Sequence, residues 1–437
     1  MTARAAGNPL APSRQHVDSY YAATQTEQAP VQRLDGDSRC DVCVIGGGYT
    51  GAATALHLAR RGVEVLLLEQ SRLGWGASGR NGGQAHVGLR RDQDWLEARL
   101  GTDDARRCWE LALAAREHLD WLIAGYGIGC DLRLGLLHAN HRQRLGPATQ
   151  RQVARLQQQY GYPHLRYVER DEIAAMVGSR GYYSGSFDAR AGHLHALNLA
   201  VGIARAAASH GARLIEDAEV TQLSRQGGEF WLRTRHGTVR AARVVLACNG
   251  YLRGLSRYVE RHVMPINNYI AVTEPLGPER ARGLISNNAA VADSRFVVNY
   301  FRLTPDHRLL FGGGENYRYR FPRDIGAFVR PHLLAVFPQL ADVRFDYAWG
   351  GTLANTPTRM PLLRELEPGF VNASGFSGLG VVLAPFAGKL VAAALCGERD
   401  GFELLGRVPV PAFPGGPALR WPTLVAAMMF YALRDRL

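Results

Sequence analysis

The chain has 437 residues, of which 46% are apolar, and a formal net charge of +12. This length exceeds what one hydrophobic core usually supports, so more than one folded unit is expected. Lys389 is the only lysine, and the many arginines are dispersed along the chain. Because a nucleic-acid surface usually needs a stripe or cluster of basic residues, nucleic acid is not an expected partner.

The apolar pattern also argues against a membrane span. No uninterrupted apolar run reaches the roughly 18 residues that a spanning helix needs, and the nearest candidate, residues 380–395, contains Pro385 and Lys389. Residues 1–32 lack the apolar core of a secretory signal. We therefore expect a cytoplasmic protein without a membrane span.

Six cysteines are spread along the chain and give neither a disulfide framework nor a four-ligand metal site. No metal is expected. Cys40 and Cys43 form a C-x-x-C pair at the start of an apolar strand. Since a redox-active pair needs a helix N-terminus to lower the pKa of one thiol, we interpret these two as packing residues.

Residues 1–37 are the first segment in chain order. Their polar residues are scattered, and Tyr20 and Tyr21 are adjacent aromatic residues within them. This composition predicts an arm that lies over the surface and does not fold independently.

An apolar strand, a glycine-rich turn and a helix are predicted next, from Cys40 to Arg61. Within the turn, Gly46 permits a sharp bend, Gly48 lets the backbone approach a pyrophosphate, and Gly51 lets the helix pack against the strand. Glu69 ends the following strand, about 20 residues on, where a ribose hydroxyl needs an acceptor. The spacing predicts a dinucleotide-binding unit. Its candidate contacts are Gly46, Gly48, Tyr49, Thr50, Gly51 and Glu69.

Several further segments continue an α/β pattern. Residues 74–84 are so rich in small side chains that their backbone is expected to approach another group closely. Apolar periodicity predicts a helix over 97–123, and a further helix is expected over 197–210. Predicted strands follow at 213–216, 218–223 and 244–247, with a hairpin around Gly227 and Gly228.

From residue 251 to 347 the pattern changes to strands with interleaved aromatic residues and arginines, which predicts a second, mainly antiparallel sheet inserted into the first domain. A glycine-rich turn at 375–380 then leads into a helix over 381–396. The N-terminus of that helix offers N–H donors and the positive end of a dipole. Residues 423–437 are predicted to form a final amphipathic helix.

Three of these segments, 46–69, 74–84 and 375–388, occur in the order found in one enzyme family. The chain resembles the D-amino-acid oxidase-like (DAO) superfamily of FAD enzymes, and most of it is similar to the γ-glutamylputrescine oxidases. The supporting stretches include Gly79-Arg80-Asn81-Gly82-Gly83-Gln84, Tyr300-Phe301-Arg302-Leu303 and Trp349-Gly350-Gly351. The resemblance runs from about Ser19 to the end of the chain.

The resemblance implies an α/β fold with a Rossmann-like FAD-binding domain of the glutathione-reductase type and an inserted antiparallel-sheet (α+β) substrate domain. Residues 38–88, 190–250 and 346–400 would form the discontinuous FAD-binding domain. Residues 89–189 and 251–345 would form the substrate domain, and 401–437 a C-terminal tail with a helix.

The resemblance also implies noncovalent FAD. Beyond the dinucleotide unit, the contacts would be backbone at Val220 beside the adenine, the 76–84 segment along the pyrophosphate and flavin, and the helix N-terminus after 377 beside the flavin. These residues are Gly76, Ala77, Ser78, Arg80, Asn81, Gly82, Gly83, Gln84, Val220, Gly250, Gly378, Leu379, Gly380 and Val381.

The chain departs from the family at three places. Relatives commonly have a histidine where this chain has Leu379. The cysteine that anchors flavin in sarcosine oxidases is absent near residues 350–352, and their oxygen-activating lysine is absent from 309–311. If O2 is the acceptor, an arginine or the helix dipole must supply the positive field. Otherwise the enzyme is a dehydrogenase.

The resemblance favours hydride transfer from an amine carbon of γ-glutamylputrescine, or a similar γ-glutamyl amine, to flavin N5, followed by imine hydrolysis. With O2 as acceptor the products would be aldehyde, ammonia and H2O2. An arginine fork suits the substrate carboxylate, so Arg302 is the first substrate-pocket candidate, with Tyr300, Trp349 and Tyr269 beside it. Two alternatives stay open: an oxidase or dehydrogenase of glycine, sarcosine or proline type, and a flavin-loaded binding protein without turnover.

Overall fold

The computed structural model describes residues 13–316 and 320–416, together with the single positions Leu419, Pro422 and Val425. The helix predicted over 423–437 lies outside the described residues except for Val425. The helices and strands below are those of the described part of the chain.

The helices alternate with strands through most of the chain. They are α1 Tyr20–Ala23, α2 Tyr49–Ala59, α3 Gln93–Leu100, α4 Thr102–Gly125, α5 Gly146–Gln158, α6 Arg170–Met176, α7 Ala196–Ser209, α8 Arg257–His262, α9 Pro278–Leu284, α10 Ile325–Val336, α11 Gly380–Leu395 and α12 Asp400–Gly406. Short 3-10 turns connect some of them, including one at Ala77–Gly79.

The strands are divided between two sheets. They are β1 Ser38–Ile45, β2 Val65–Leu68, β3 Gln84–Ala85, β4 Arg133–Asn140, β5 Leu165–Val168, β6 Ser184–His193, β7 Arg213–Ile215, β8 Gln222–Gln226, β9 Glu229–Thr234, β10 Gly237–Leu246, β11 Met264–Thr273, β12 Ala290–Asp293, β13 Tyr300–Leu303, β14 Leu309–Asn316, β15 Phe345–Asn355, β16 Leu362–Glu367 and β17 Phe370–Ser374.

The first sheet has a parallel centre. Its strand order is β16-β17-β10-β1-β2-β7, with β8 and β9 attached to β10 as an antiparallel hairpin. β1 pairs in parallel with both β10 and β2, and β2 in turn pairs in parallel with β7. These strands are apolar on both faces because both faces are covered. On one face α2, α7 and α11 share a buried cluster with β1 and β2, and on the other these strands pack in a cluster with Val220, Phe230 and Val259.

The second sheet is almost entirely antiparallel. Its order is β15-β11-β14-β13-β12-β4-β6-β3, with β5 attached to β6, and the β12–β4 pair is parallel. The predicted fold class, an α/β nucleotide-binding domain with an inserted antiparallel sheet, is confirmed by this architecture and by structural neighbours described below.

Two strands within the predicted FAD-binding segments pair with strands of the second sheet. Residues 346–355 belong to β15, which pairs along its length with β11 of the second sheet. β3, placed in the FAD-binding segment 38–88, pairs with β6, and both lie in the second sheet. The residue patterns alone did not reveal these pairings because each strand's partner is distant in sequence.

Two other local predictions differ from the structure in where a helix or strand begins or ends. The helix predicted over 97–123 is two helices, α3 and α4, because Gly101 adopts a φ of +82° between them. Strand structure was predicted over 218–223, but the strand there, β8, begins only at Gln222. No single helix within the described part of the chain is long and apolar enough to span a membrane, and α11 with α12 meets that test only as a pair bent by 118°.

The described part of the predicted arm is packed into the body of the protein. Tyr21 is fully buried and shares a cluster with Leu197 and Trp349. Farther along, the Gln32 N–H donates to Leu214 O at 2.8 Å, and Gln32 forms a parallel bridge with Ile215 of β7. The described part of the segment therefore contacts elements of both sheets.

Candidate active site

A single large cavity of about 1060 Å³ is lined by residues from both sheets. We call its two sides the nucleotide wall and the distal wall. The nucleotide wall comprises lining residues within 45–50, 68–70, 75–82, 218–220, 247–255 and 376–381, and the distal wall those within 86–94, 109, 138–156, 162, 186–188 and 292–300. The volume is at the upper end of the range for ligand pockets.

In the β1–α2 turn, a different close contact explains why each of three positions is a glycine. Gly46 has a φ of +111°, and a Cβ there would meet Ala247 O at 2.7 Å. A Cβ on Gly51 would lie 1.8 Å from Gly46 O, so this glycine sets the distance between helix and turn. At Gly48 a Cβ would meet Ser78 Oγ at 2.7 Å. The turn therefore presents bare backbone to the cavity.

Glu69, the residue directly after β2, is hydrogen-bonded to this turn. Its Oε2 accepts the Gly47 N–H at 2.7 Å and its Oε1 accepts the Ser71 N–H at 2.9 Å. Burial raises the pKa of Glu69 to about 7, although these two N–H donors act in the opposite direction. Glu69 also lines the cavity, where its carboxylate has remaining acceptor capacity for a hydroxyl.

The segment after β2 is held by its own side chains. Ser78 Oγ accepts the Tyr49 N–H at 3.0 Å, and Asn81 Nδ2 donates to Ala77 O at 3.0 Å and Ser78 O at 2.9 Å. Asn81 Oδ1 in turn accepts the Gly83 N–H at 2.8 Å. Ser78 and Asn81 thus shape the loop, so that its backbone and small side chains face the cavity.

The Arg80 guanidinium is buried and committed to the protein. Its Nε donates to Trp75 O at 2.7 Å, its Nη1 donates to Gly350 O at 3.3 Å, and it stacks 4.0 Å over the Trp75 ring. Burial lowers the pKa of Arg80 from its ordinary value. Arg80 lines the cavity and ties the nucleotide wall to β15.

The N-terminus of α11 also opens on the cavity. Leu379 is its N-cap and supplies no capping hydrogen bond. A Cβ on Gly378 would meet no atom within 4 Å, and one on Gly380 only Phe376 Cβ at 3.7 Å and Ala384 Cβ at 3.9 Å. Protein packing therefore does not account for a glycine at 380. The glycine leaves room for a group in the cavity to come close to the backbone.

Most of the predicted contacts come together around the cavity. Those that line it are Gly46, Gly48, Tyr49, Thr50, Glu69, Gly76, Ala77, Ser78, Arg80, Asn81, Gly82, Gln84, Val220, Tyr300, Gly378, Leu379, Gly380 and Val381. Those that do not are Gly51, Gly83, Gly250, Arg302 and Trp349. Gly83 and Gly250 are needed for packing, because a Cβ would meet Leu194 O at 2.1 Å and Leu353 O at 2.8 Å respectively.

The interpretation of Arg302 as a substrate fork is not supported by its placement. Arg302 is 3% exposed. Its guanidinium donates to Gly82 O at 3.0 Å, Leu194 O and Leu303 O at 3.1 Å, and Tyr21 Oη at 3.0 Å. With all three nitrogens engaged beneath the 82–83 loop, this residue joins β13 to the loop and the N-terminal segment.

Trp349 and Tyr269 were also predicted to border the substrate. Trp349 is 1% exposed, and its Nε1 donates to Arg80 O at 3.0 Å. Tyr269 is fully buried against Phe321 and Phe328. Both belong to the packing of the second sheet. Tyr300 is different, because its ring lines the cavity and its hydroxyl donates to Asn268 Oδ1.

The distal wall contains residues that sequence reasoning missed. Cross-strand register places Tyr300, Ala292, His138 and Ser186 side by side on β13, β12, β4 and β6, and all four line the cavity. Since neighbouring strands lie about 4.8 Å apart, His138 is about 10 Å from Tyr300. No signal in the sequence reveals this row, because it depends on pairing between distant strands.

His86 faces His138 across 5.2 Å between ring centroids. Gln84 Nε2 donates to Val291 O at 2.8 Å, which leaves its Oε1 to accept from His86 Nε2 at 3.2 Å. The neutral His86 ring therefore has its lone pair on Nδ1. Desolvation, with smaller effects of His138 and Arg90, holds the pKa of His86 well below its usual value, and desolvation and Arg90 lower that of His138 to about 4. Gln84 and His86 are two residues apart, a spacing that places strand side chains on the same face, so the sequence could have indicated that they lie together.

Comparisons with known proteins identify the family. The family profile described as FAD dependent oxidoreductase (DAO) matches residues 41–394. The chain is 39% identical over 425 residues, 97% of this chain and 99% of the relative, to gamma-glutamylputrescine oxidoreductase of Escherichia coli (strain K12). It is 40% identical over 420 residues, 96% of this chain and 97% of the relative, to the probable oxidoreductase OrdL of Rhizobium meliloti (strain 1021).

The chain belongs to the FAD-dependent oxidoreductase (DAO) family. Solved structures share its fold. L-proline dehydrogenase from P. horikoshii has a TM-score of 0.68 at 22% identity, over 85% of this chain and 96% of that one. Glycine oxidase from Geobacillus kaustophilus has a TM-score of 0.66 at 23% identity, over 86% and 97%. The resemblance inferred from the motifs, an FAD-dependent oxidoreductase, is confirmed.

The nucleotide wall of this DAO-family enzyme fits FAD. Bare backbone at Gly48 and Gly380 allows close approach, and Glu69 offers a carboxylate to a ribose. Asn355 Oδ1, which is buried without a hydrogen-bond partner among the described residues, lies on the same cavity and can accept from a ring N–H. No group of three or more His, Cys, Asp or Glu in the described ranges could hold a metal ion.

Proposed function

We propose that this FAD-dependent oxidoreductase oxidises the amine-bearing carbon of γ-glutamylputrescine or a similar γ-glutamyl amine, with O2 as acceptor and aldehyde, ammonia and H2O2 as products. The observation that carries the proposal is the 39% identity, over 97% of this chain, to the Escherichia coli enzyme named for that substrate.

The cavity continues beyond the residues proposed to hold FAD. It reaches the distal wall within one volume of about 1060 Å³, which cofactor and substrate would share. Bound FAD supplies the acceptor for a hydride from the amine carbon. The protein then needs to orient the amine, exclude water and hold it uncharged.

His86 and His138 suit an uncharged amine. Both line the cavity, and desolvation lowers the pKa of both imidazoles, which favours their uncharged forms. The lone pair on His86 Nδ1 can accept an amine N–H. Arg90 adds a positive charge close to both rings, which disfavours an ammonium beside them.

Noncovalent binding of FAD is part of the proposal. Cys248 is the only cysteine of the described residues that lines the cavity, and its thiol donates to Ile45 O at 3.4 Å. Burial raises the pKa of Cys248 to about 12. A thiol that stays protonated is a poor nucleophile, so a thioether to flavin is not expected at this position.

The acceptor O2 requires a positive field near the flavin. Leu379 supplies no imidazole, and Lys389 does not line the cavity. The N-terminus of α11, where Gly378, Gly380 and Val381 face the cavity, carries partial positive charge equivalent to about half an elementary charge. We propose that this helix end stabilises negative charge on the reduced cofactor.

A substrate panel in air tests the function. The FAD-loaded enzyme is mixed separately with γ-glutamylputrescine, putrescine, sarcosine, proline and glycine, and H2O2 is followed by a peroxidase-coupled assay. We expect γ-glutamylputrescine to give the highest kcat/KM. Turnover of sarcosine or proline without turnover of γ-glutamylputrescine would overturn the proposed substrate. Flavin reduction without H2O2 would overturn O2 as the acceptor.

A further inference from the structure

A second, much smaller cavity lies beside the large one. Its volume is about 10 Å³, and all of the residues that line it are apolar. We call it the apolar pocket. Phe376, Leu383 and Ala387, three of the residues that line it, are buried. The pocket therefore lies inside the protein, where it is enclosed by side chains of α4, α11, α12 and β16 and of the loops beside them.

Two side chains separate the apolar pocket from the large cavity. Leu89 and Phe376 line both volumes. The first turns of α11 also lie between them, because Ala384 lines the cavity whereas Leu383 and Ala387 line the pocket. The pocket is therefore one layer of side chains away from the helix end that is proposed to stabilise the reduced cofactor.

The lining of the apolar pocket disfavours polar molecules. A buried water needs two to four polar partners, and a purely apolar cavity stays dry or binds a small apolar molecule such as xenon. No side chain that lines the pocket carries a hydrogen-bond donor or acceptor, so an amine, ammonia, water or H2O2 would lose hydrogen bonds on entering it. Of the small molecules in the proposed reaction, only O2 is apolar.

We propose that the apolar pocket is a binding site for O2 beside the reduced cofactor. This inference rests on the proposed use of O2 as acceptor. O2 leaves the pocket past Leu89, which is only partly buried, and Phe376. In the cavity O2 receives two electrons and one proton from the reduced flavin and one proton from solvent, and it departs as H2O2.

Xenon binding tests the pocket without catalysis. Xenon is a small apolar probe that anomalous X-ray scattering locates in a crystal. We expect crystals of the FAD-loaded enzyme under xenon pressure to contain xenon in the apolar pocket. Ala387→Val enlarges a side chain that lines the pocket, so this variant should exclude xenon. A pocket that stays empty in the parent enzyme would overturn the proposal.

Reoxidation of the flavin tests whether the pocket serves O2. The enzyme is reduced with one equivalent of dithionite, which needs no amine substrate, and is then mixed with O2 in a stopped-flow instrument. We expect Ala387→Val to lower the second-order rate constant for O2 about tenfold. Reoxidation by ferricenium, an acceptor too large for the pocket, should stay within about twofold of the parent. A merely structural effect on the flavin would slow both reactions.

Ala393→Val is the matched control. Ala393 lies on the same helix and lines neither volume, so this variant should bind xenon and react with O2 as the parent does. If Ala387→Val fails to fold, Leu111→Phe carries the same comparison, because Leu111 lines the pocket from α4 at a partly buried position.

The outcomes separate the pocket from the proposed function. If the parent reacts with O2 and a folded variant that excludes xenon reacts equally fast, the O2 site fails and the proposed function stands. Equal slowing with O2 and ferricenium also overturns the site. If the reduced parent does not react with O2, the proposed acceptor and the site fail together, while anaerobic reduction still tests the amine. If γ-glutamylputrescine does not reduce the flavin but reoxidation depends on the pocket, the site stands and the proposed substrate fails.

Discussion

At the scale of single residues, Glu69 combines a structural role with a position on the cavity. Its two carboxylate oxygens hold Gly47 and Ser71, while the same group faces the cavity. The spacing between Glu69 and the glycine turn predicted that this carboxylate accepts a ribose hydroxyl. Its raised pKa depends on burial under the folded loop, which spacing alone does not reveal.

The pKa of Glu69 makes a pH dependence of FAD binding testable. Ribose hydroxyls donate to the carboxylate form, so bound FAD lowers the pKa of Glu69 below its value of about 7 in the cofactor-free protein. FAD affinity should therefore be constant above pH 8 and fall by up to about tenfold per pH unit below 7. Fluorescence titration of the apoprotein measures it. Glu69→Gln should bind FAD more weakly and lose this slope, and an unchanged slope in that variant would refute the assignment.

Arg302 shows where residue-level prediction failed. Tyr300 and Arg302 are two residues apart on β13 and share a face, so the sequence pattern predicts the same environment for both side chains. Along the strand, however, they are separated by about 6.6 Å. Tyr300 reaches the cavity, while Arg302 passes beneath the 82–83 loop and meets Tyr21. Only the position of the loop and the N-terminal segment decides between the two environments.

We expect Arg302→Met to destabilise the protein without changing substrate choice. Loss of the guanidinium leaves buried carbonyls at residues 82, 194 and 303 without a donor, at a cost of about 1–3 kcal/mol each before relaxation. Differential scanning fluorimetry should show a lower Tm, with an unchanged ratio of kcat/KM for γ-glutamylputrescine over putrescine. Tyr300→Phe is the comparison at the cavity. A specific loss of γ-glutamylputrescine in Arg302→Met would restore the original fork interpretation.

At the scale of elements, the strand-turn-helix unit was predictable because its chemistry is local. Gly46 bends the chain with a positive φ and Gly51 sets the distance between helix and turn, as their spacing indicates, while contact of Gly48 with a pyrophosphate stays a prediction. The division of the predicted helix 97–123 was not predicted, although Gly101 was visible in the sequence. An isolated glycine is tolerated within helices, and its positive φ follows from how α3 and α4 pack.

Substitutions at two glycines distinguish the effect of helix packing from the effect of close approach by the cofactor. Gly51→Ala places a Cβ 1.8 Å from Gly46 O, so α2 must shift and both stability and FAD retention should fall. Gly380→Ala adds a Cβ that meets only Phe376 Cβ at 3.7 Å and Ala384 Cβ at 3.9 Å, so the apoprotein should keep its Tm within about 2 °C while its FAD Kd rises about tenfold. Thermal unfolding of apoprotein and FAD titration of each variant measure the two effects. Normal FAD affinity in Gly380→Ala would show that no cofactor atom lies beside that residue.

At the scale of the whole molecule, the N-terminal segment and the two sheets are interdependent. The sequence predicted a surface arm because residues 1–37 show no apolar periodicity. Instead, two consecutive tyrosines fill space between α7, β11 and β15, in one cluster with Trp349. Similarly, residues 346–355 were predicted within the FAD-binding domain, and they form most of β15, which pairs with β11 about 80 residues earlier.

The interdependence predicts a large effect of truncating one tyrosine. Tyr21 is fully buried, and its Oη accepts from Arg302 at 3.0 Å, so Tyr21→Ala should lower the unfolding free energy by about 3–5 kcal/mol. Urea unfolding of the FAD-loaded protein, followed by flavin release, measures the change. Tyr183→Ala, at a partly buried position contacting Arg170, is a milder control. A Tyr21→Ala variant as stable as that control would show that the segment is dispensable.

Anaerobic reduction of the bound flavin is the most direct test of the central claim that this DAO-family enzyme oxidises a γ-glutamyl amine. The FAD-loaded protein is mixed with γ-glutamylputrescine in a stopped-flow instrument without O2, and the oxidised-flavin absorption band is followed. The account predicts complete bleaching in a single turnover, with a higher kred/Kd than for putrescine, sarcosine or proline. A flavin that stays oxidised with γ-glutamylputrescine but bleaches with sarcosine or proline would contradict it.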